Sequence, residues 1–232
     1  MTVIRHSPFA IRHSPFAIRL VGLVLVAVGY FGPWVPHKTA ALTVTGFELA
    51  EFAKFFPQVQ GGVVPVTRVL FYFPLVVASI LLNLFVGRST VCFVRWVVAL
   101  CTAGLLLVAL LPFSVVESAR HSLATGVAFA VDPPYARQLA LVVVGIALTL
   151  LAPLAGRLPR RVQSVLIILL ALVGAVPALR QFAILRPLVA ALYDEPLGLG
   201  WGLIACGVGF GLLLLSVVFA LVSPERSAYG QP

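Results

Sequence analysis

The sequence predicts an all-α integral membrane protein, a bundle of six transmembrane helices with the N- and C-termini both cytoplasmic and a short amphipathic helix in the first outer loop. Three observations carry this reading. Hydrophobic residues make up 61% of the 232 and charged residues 10%, with a mean hydropathy of +1.11, whereas a soluble domain carries about 25% charged residues to cover its surface. The apolar residues fall in long stretches, and the basic residues between those stretches are sorted to one side. The same composition excludes a disordered chain, a disulfide-stapled secreted module, which three cysteines could not hold together, and a basic nucleic-acid-binding domain. Membrane lipids are the expected surroundings, and no nucleic acid is expected as a partner.

A hydrocarbon core about 30 Å thick takes roughly 20 apolar residues per helix. Between charged residues the chain offers stretches at 20–36, 69–87, 96–116, 138–156, 162–179 and 196–224. None alternates polar with apolar residues as a lipid-facing strand would, so a barrel is not expected. Arg5, Arg12, Arg19, Arg88, Arg95, Arg157, Arg160, Arg161 and Arg226, with Glu225 as the lone acid, fall on one side of these stretches. The other side holds Lys38, Lys54, Arg68, Arg120, Arg137, Arg180 and Arg186 against Glu48, Glu51, Glu117, Asp132, Asp194 and Glu195. The arginine excess marks the cytoplasmic side. The chain is thus expected in a cell membrane, such as a bacterial inner membrane, as a multi-pass domain over 20–222 between a basic tail at 1–19 and a short tail at 223–232.

In the first tail IRHSPFA, residues 4–10, recurs at 11–17. We read this as a slippage duplication whose arginines lie near anionic headgroups. The apolar run behind it ends in Gly32, Pro33, Trp34, Val35 and Pro36 without a small-x-small cleavage pattern, so a signal-anchor helix is expected.

The outer loops, at 37–68, 113–137 and 180–195, carry six of the seven acids. Thr45 and Glu48 have the spacing of a capping box, in which each side chain satisfies a free backbone donor of the other residue. A helix over 46–56 should follow, with Phe47, Leu49, Phe52, Phe55 and Phe56 forming an interfacial helix or a cover on the bundle mouth, and Pro57 ending it. Ser114 and Glu117 repeat the spacing in the second loop, ahead of Ala119, Leu123 and Val127. The third loop, with Pro187, has no such box.

Chemistry is sparse. Ionisable groups inside the stretches would mark function, because charge in hydrocarbon is costly, and none sits at mid-depth. Asn83 is the one strongly polar side chain well inside, expected as an interhelix hydrogen-bond partner. HExxH, GxSxG, phosphate-binding glycine loops and clustered acids are all absent, so no catalytic residue, metal site, cofactor or enzyme activity is expected. His37 and His121 are two ligands at unrelated spacing, which favours solvated histidines over a metal or haem site. Cys92, Cys101 and Cys206 lack C-x-x-C spacing and read as small buried hydrophobes. Trp34, Tyr72, Trp96, Tyr193 and Trp201 fall near stretch ends, where rings anchor at the headgroup layer.

In size and span count the chain resembles the membrane-embedded substrate-binding subunits of energy-coupling-factor vitamin transporters. Its Gly156, Arg157, Leu158, Pro159, Arg160, Arg161 turn resembles the basic cytoplasmic loop of major-facilitator transporters. That turn lacks the loop's aspartate and follows the fourth stretch instead of the second, so no residue role is carried over.

Assembly is the better-marked function. In the sixth stretch Gly198, Gly202, Gly207 and Gly211 lie at close-packing spacings, and Gly207 with Gly211 forms a GxxxG, which lets helix backbones approach where lipid removes any hydrophobic drive between them. The expected function is an accessory or scaffold subunit of a membrane assembly, with a membrane-protein partner on the sixth helix. The alternative is a small transporter or ligand-binding module for a lipophilic or weakly polar substrate, with kinks at Pro74 and Pro153 opening a cavity beneath the first outer loop.

Overall fold

A computed structural model describes residues 15–36, 43–126, 128–129 and 131–222 of the chain. Among the described residues, five helical segments are long and apolar enough to cross a membrane, at Arg68–Val86, Cys92–Leu110, Tyr135–Ala155, Arg160–Tyr193 and Trp201–Leu221. A further apolar helix, α1 (Pro15–Phe31), has 17 residues. It includes the last three residues of the second heptapeptide copy, and Arg19 is helical. Its guanidinium lies 5.4 Å above the Phe85 ring and its Nε donates to Ser216 Oγ at 3.3 Å.

The centre of the bundle is the segment Arg68–Val86, a 3-10 turn (Arg68–Tyr72) that runs into α4 (Phe73–Val86). Its apolar window is 67% buried, against 28–39% for the other four. Around α4 stand α1, α5 (Cys92–Leu110), α7 (Pro133–Ala155) and α8 (Arg160–Tyr193), and α9 (Trp201–Val222) closes the outside of the bundle against α1 and α8. Leu81, Leu106, Ile167, Leu185 and Leu213 are fully enclosed between these helices. The outward faces remain apolar, with Phe93, Leu100, Val108, Val144, Val176 and Val218 exposed. That pattern suits a surface solvated by acyl chains and would be untenable in water.

Short elements fill the segment between α1 and α4. A two-stranded antiparallel ribbon pairs β1 (Pro33–Val35) with β2 (Val44–Thr45), and α2 (Leu49–Phe52), a 3-10 turn (Ala53–Phe55) and α3 (Pro57–Gln60) follow. The continuous helix expected over 46–56 is thus broken into a four-residue helix and a 3-10 turn, and Pro57 starts a helical turn where it was expected only to end one. Proline suits a first helical position because its missing N–H is not needed there.

Three further expectations are corrected. The third outer loop is not a loop: α8 runs 34 residues to Tyr193, through both Pro177 and Pro187. At 1.5 Å per residue that is about 51 Å, well beyond the roughly 30 Å hydrocarbon core, so Arg180 and Arg186 ride on a helix extension. Ser114 does not cap a helix. α6 (Phe113–Thr125) starts earlier, with Pro112 at its cap, and Ser114 lies within the first turn with its hydroxyl buried and unpartnered. Pro74 does not kink α4, since it occupies the first turn, whereas Pro153 does lie inside α7.

The aromatic anchors divide. Trp96 and Trp201 are exposed, but Trp34 is fully enclosed, donating from Nε1 to Gly29 O at 3.0 Å and meeting Phe182 edge-on at 5.8 Å. Tyr72 is likewise buried. The cysteines divide as well: Cys206 is buried, and Cys92 and Cys101 are exposed on the outer face of α5, because a helix in lipid can turn a small apolar residue outward without cost.

Candidate functional site

The glycines of α9 separate into two faces. Gly202 lies against α1 so closely that a Cβ would stand 2.5 Å from the Gly32 carbonyl carbon and 2.7 Å from Gly29 O. About two turns further along the same face, a Cβ on Gly209 would stand 2.6 Å from Gly22 O. These contacts join α1 and α9 backbone to backbone. Gly207 and Gly211 point elsewhere: a Cβ on either would meet nothing within 4 Å. Gly198 lies in the connection before α9, where among the described residues a Cβ would meet only Pro36 Cγ, at 3.7 Å. Gly211 is exposed among the side chains of Ile204, Val208, Leu215 and Val218, whereas Gly207 is half-buried and borders a small gap beside Ala175, Ala178 and Leu179 of α8.

A polar cluster occupies the end of the bundle where α2 and the Arg68–Tyr72 turn meet. The capping box forms in both directions: Thr45 N donates to Glu48 Oε2 at 2.9 Å, and Glu48 N donates to Thr45 Oγ1 at 3.2 Å. It fixes α2 over the bundle, with Leu49 and Phe56 buried, Phe47 and Phe52 half-buried and Phe55 exposed. Phe47 packs between Tyr30 and Tyr72, with ring centroids at 6.3 and 6.2 Å. On the polar side Glu51 accepts from Tyr72 Oη at 3.1 Å and pairs with Lys54, which in turn lies 4.9 Å above the Tyr135 ring. Arg68 reaches the same ring at 5.8 Å, with Nη1 buried and unpartnered. A cleft of about 300 Å³ lies along this segment, between Glu48, Glu51, Phe52, Phe55 and Tyr193.

Near the C-terminal end of α4, Asn83 joins it to α5. Its Nδ2 donates to Thr102 Oγ1 at 2.7 Å and to Ser79 O at 2.8 Å, while Oδ1 is buried without a partner. Ser79 and Ser216 bond their own helices as expected of such residues, and Thr149 does not.

Three glutamines do more to tie the bundle than the sequence reading credited. Gln138 Nε2 donates to Leu110 O at 2.8 Å, Gln181 Oε1 accepts from Thr67 N at 3.0 Å, and Gln163 Nε2 donates to Gly156 O at 2.5 Å while its Oε1 accepts from Arg88. All three are buried. The available signal was a lone amide at the border of each apolar stretch, where an uncharged side chain can enter the core and still satisfy a helix end.

His121 lies on α6, mostly exposed, and His37 lies outside the described residues. Among the described residues no three His, Cys, Asp or Glu side chains come together as a metal site would require. Arg186 donates from Nε and Nη2 to Leu197 O at 3.1 and 2.5 Å. No known protein family matches the chain, and no curated protein or solved structure is significantly similar to it. What the fold itself defines is a class, a helical membrane-embedded protein.

Proposed function

We propose that this chain is a non-catalytic six-span membrane protein, an accessory or scaffold subunit that takes a partner helix on the open face of α9. In this reading α1 is the first of the six spans, both termini lie in the cytoplasm, and the protein resides in a cell membrane of the bacterial inner-membrane kind. The observation that carries the proposal is the division among the α9 glycines. Gly202 and Gly209 are used up by α1, whereas among the described residues a Cβ on Gly207 or Gly211 would meet no atom within 4 Å, Gly211 being exposed and Gly207 bordering a small gap beside Ala175, Ala178 and Leu179 of α8. Glycine in a helix interior sacrifices about 1 kcal/mol relative to alanine, and close approach of a second backbone is what offsets that in lipid.

The test is the Gly207→Leu/Gly211→Leu variant compared with the parent in native membranes, by crosslinking, mild-detergent purification and mass spectrometry of the captured proteins. The parent should travel as an assembly and the variant as a solitary chain. A solitary parent particle, or an assembly unchanged by both leucines, overturns the proposal.

The cleft beside Glu51, Phe55 and Tyr193 favours a second reading, a ligand-binding module for a lipophilic or weakly polar molecule held under the α2 cover. Its signature would be a small molecule that co-purifies with the chain and is lost on Phe52→Ala/Phe55→Ala. Retention of the molecule by that variant would remove this reading.

A further inference from the structure

The inner end of the bundle concentrates positive charge around a cleft that no carboxylate lines among the described residues. Two tight turns meet there, α4 to α5 and α7 to α8, so closely that a Cβ on Gly156 would stand 2.7 Å from the Gly87 carbonyl carbon. Beside the contact opens a cleft of about 450 Å³ walled by Arg88, Arg95 and Arg157, with Ser89 and Thr90 between them. No carboxylate stands among the lining residues. Arg88 is held by the neutral amide of Gln163, which positions the guanidinium without cancelling its charge. Arg19 comes near enough for its charge to oppose that of Arg88. Arg95 Nε is buried with no hydrogen-bond partner.

Like charges crowded at the edge of a low-dielectric slab repel, and a buried unpaired donor is costly. A bound anion would resolve both. α5 also begins at Cys92 with no side-chain cap, which adds the unpaired N–H groups of its first turn and the positive end of its dipole to the same region.

We propose that this cleft binds a phosphate group, supplied by the headgroup of an acidic phospholipid. Guanidinium forks match the paired oxygens of a phosphate, and the hydroxyls of Ser89 and Thr90 are further donors. The apolar wall beside the cleft favours a lipid as the source. Val91, Phe93, Val94 and Trp96 at the start of α5 are 51, 76, 42 and 44% exposed, and they offer acyl chains a path along the helix directly beneath the bound headgroup.

The full chain in a neutral detergent is to be titrated with dioleoylphosphatidylglycerol, dioleoylphosphatidylcholine or inorganic phosphate, with bound lipid read by native mass spectrometry and stability by thermal unfolding. The acidic lipid should be retained and should raise the melting temperature, the zwitterionic lipid should do neither, and added salt should weaken the effect. Arg95→Gln/Arg157→Gln should lose about tenfold in affinity for the acidic lipid, with its lipid-free melting temperature equal to or above the parent's, since repulsion and an unpaired donor are relieved. If that variant does not fold, the exposed Arg157→Gln alone gives the comparison, with about a threefold loss expected. Equal binding of the acidic lipid by parent and variant overturns the site. Equal retention of both lipids, with inorganic phosphate alone stabilising the parent, overturns the lipid as the source and shows the cleft to serve a soluble phosphate.

Discussion

Adding one methyl group tests the two faces of α9 against each other. Gly202→Ala would drive its Cβ into the α1 backbone at 2.5 Å, and neither Gly32 nor Gly29 has a flexible side chain to give way. Overpacking of that kind costs about 1–3 kcal/mol, so the variant should unfold at visibly milder conditions, followed by circular dichroism in detergent. Gly207→Ala meets no described atom and should match or exceed the parent, by up to the roughly 1 kcal/mol that alanine gains over glycine in a helix interior. Equal losses at both positions would mean that α1 does not lie where it is described. Asn83 poses the opposite question. Its bond to Thr102 contributes about 0.6 kcal/mol by the measure of membrane helix pairs, while an orphan buried acceptor such as its Oδ1 costs about 1–3 kcal/mol. The second effect is the larger, so Asn83→Leu should match or exceed the parent in the same unfolding measurement. A clear loss would show that the Asn83 side chain is fully satisfied.

At the scale of an element, Arg186 sets where α8 stops mattering as a free rod. Its two donations to Leu197 O fasten the end of a long helix to the connection into α9. A charged hydrogen bond is worth about 1.5–3 kcal/mol when shielded, but Arg186 is exposed, and about 1 kcal/mol is a fair allowance. Arg186→Gln should therefore raise amide exchange over 194–200 about fivefold and leave α4 exchange unchanged. No change in that connection would remove Arg186 from this role. The same helix shows what the sequence made legible. Apolar windows located every long helix, because lipid demands a stretch of fixed length, and the Thr45–Glu48 spacing announced a box that does close. Charge and proline misled the reading beyond Leu179. Arg180, Pro187 and Asp194 suggest a loop in water, but a helix resting on its neighbours through Phe182, Leu185 and Val189 tolerates them. Ser114 failed as a cap for a related reason. Spacing records which pair could bond, and Pro112 had already set the start of the helix two residues earlier. For the candidate site, the GxxxG spacing was visible, but which face of α9 each glycine occupies depends on α1, a helix some 180 residues away in sequence, and no local pattern encodes that.

For the whole molecule, the separation of charge predicts which end of the bundle meets which solution. Arg88, Arg95, Arg157, Arg160 and Arg161 gather at the end formed by the two tight turns, and Glu48, Glu51, Asp194 and Glu195 at the opposite end. Insertion favours the arginine-rich end in the cytoplasm. The native cysteines can report on this without further design. Cys92 opens α5 at the arginine-rich end and is exposed, Cys101 lies nine residues deeper on the lipid-facing side, and Cys206 is buried. A membrane-impermeant maleimide reacts only with a thiol that reaches water as thiolate. In intact cells it should leave all three unlabelled, and permeabilising the membrane should expose Cys92 alone. Gln58→Cys, on the exposed α3, should label in intact cells and supplies the signal for the opposite face. Cys206 should react only after the bundle is unfolded. Labelling of Cys92 from outside intact cells would invert the arrangement and place the acidic end inward, and labelling of Cys92 and Gln58→Cys from one side would mean that the segment between them does not cross the bilayer at all.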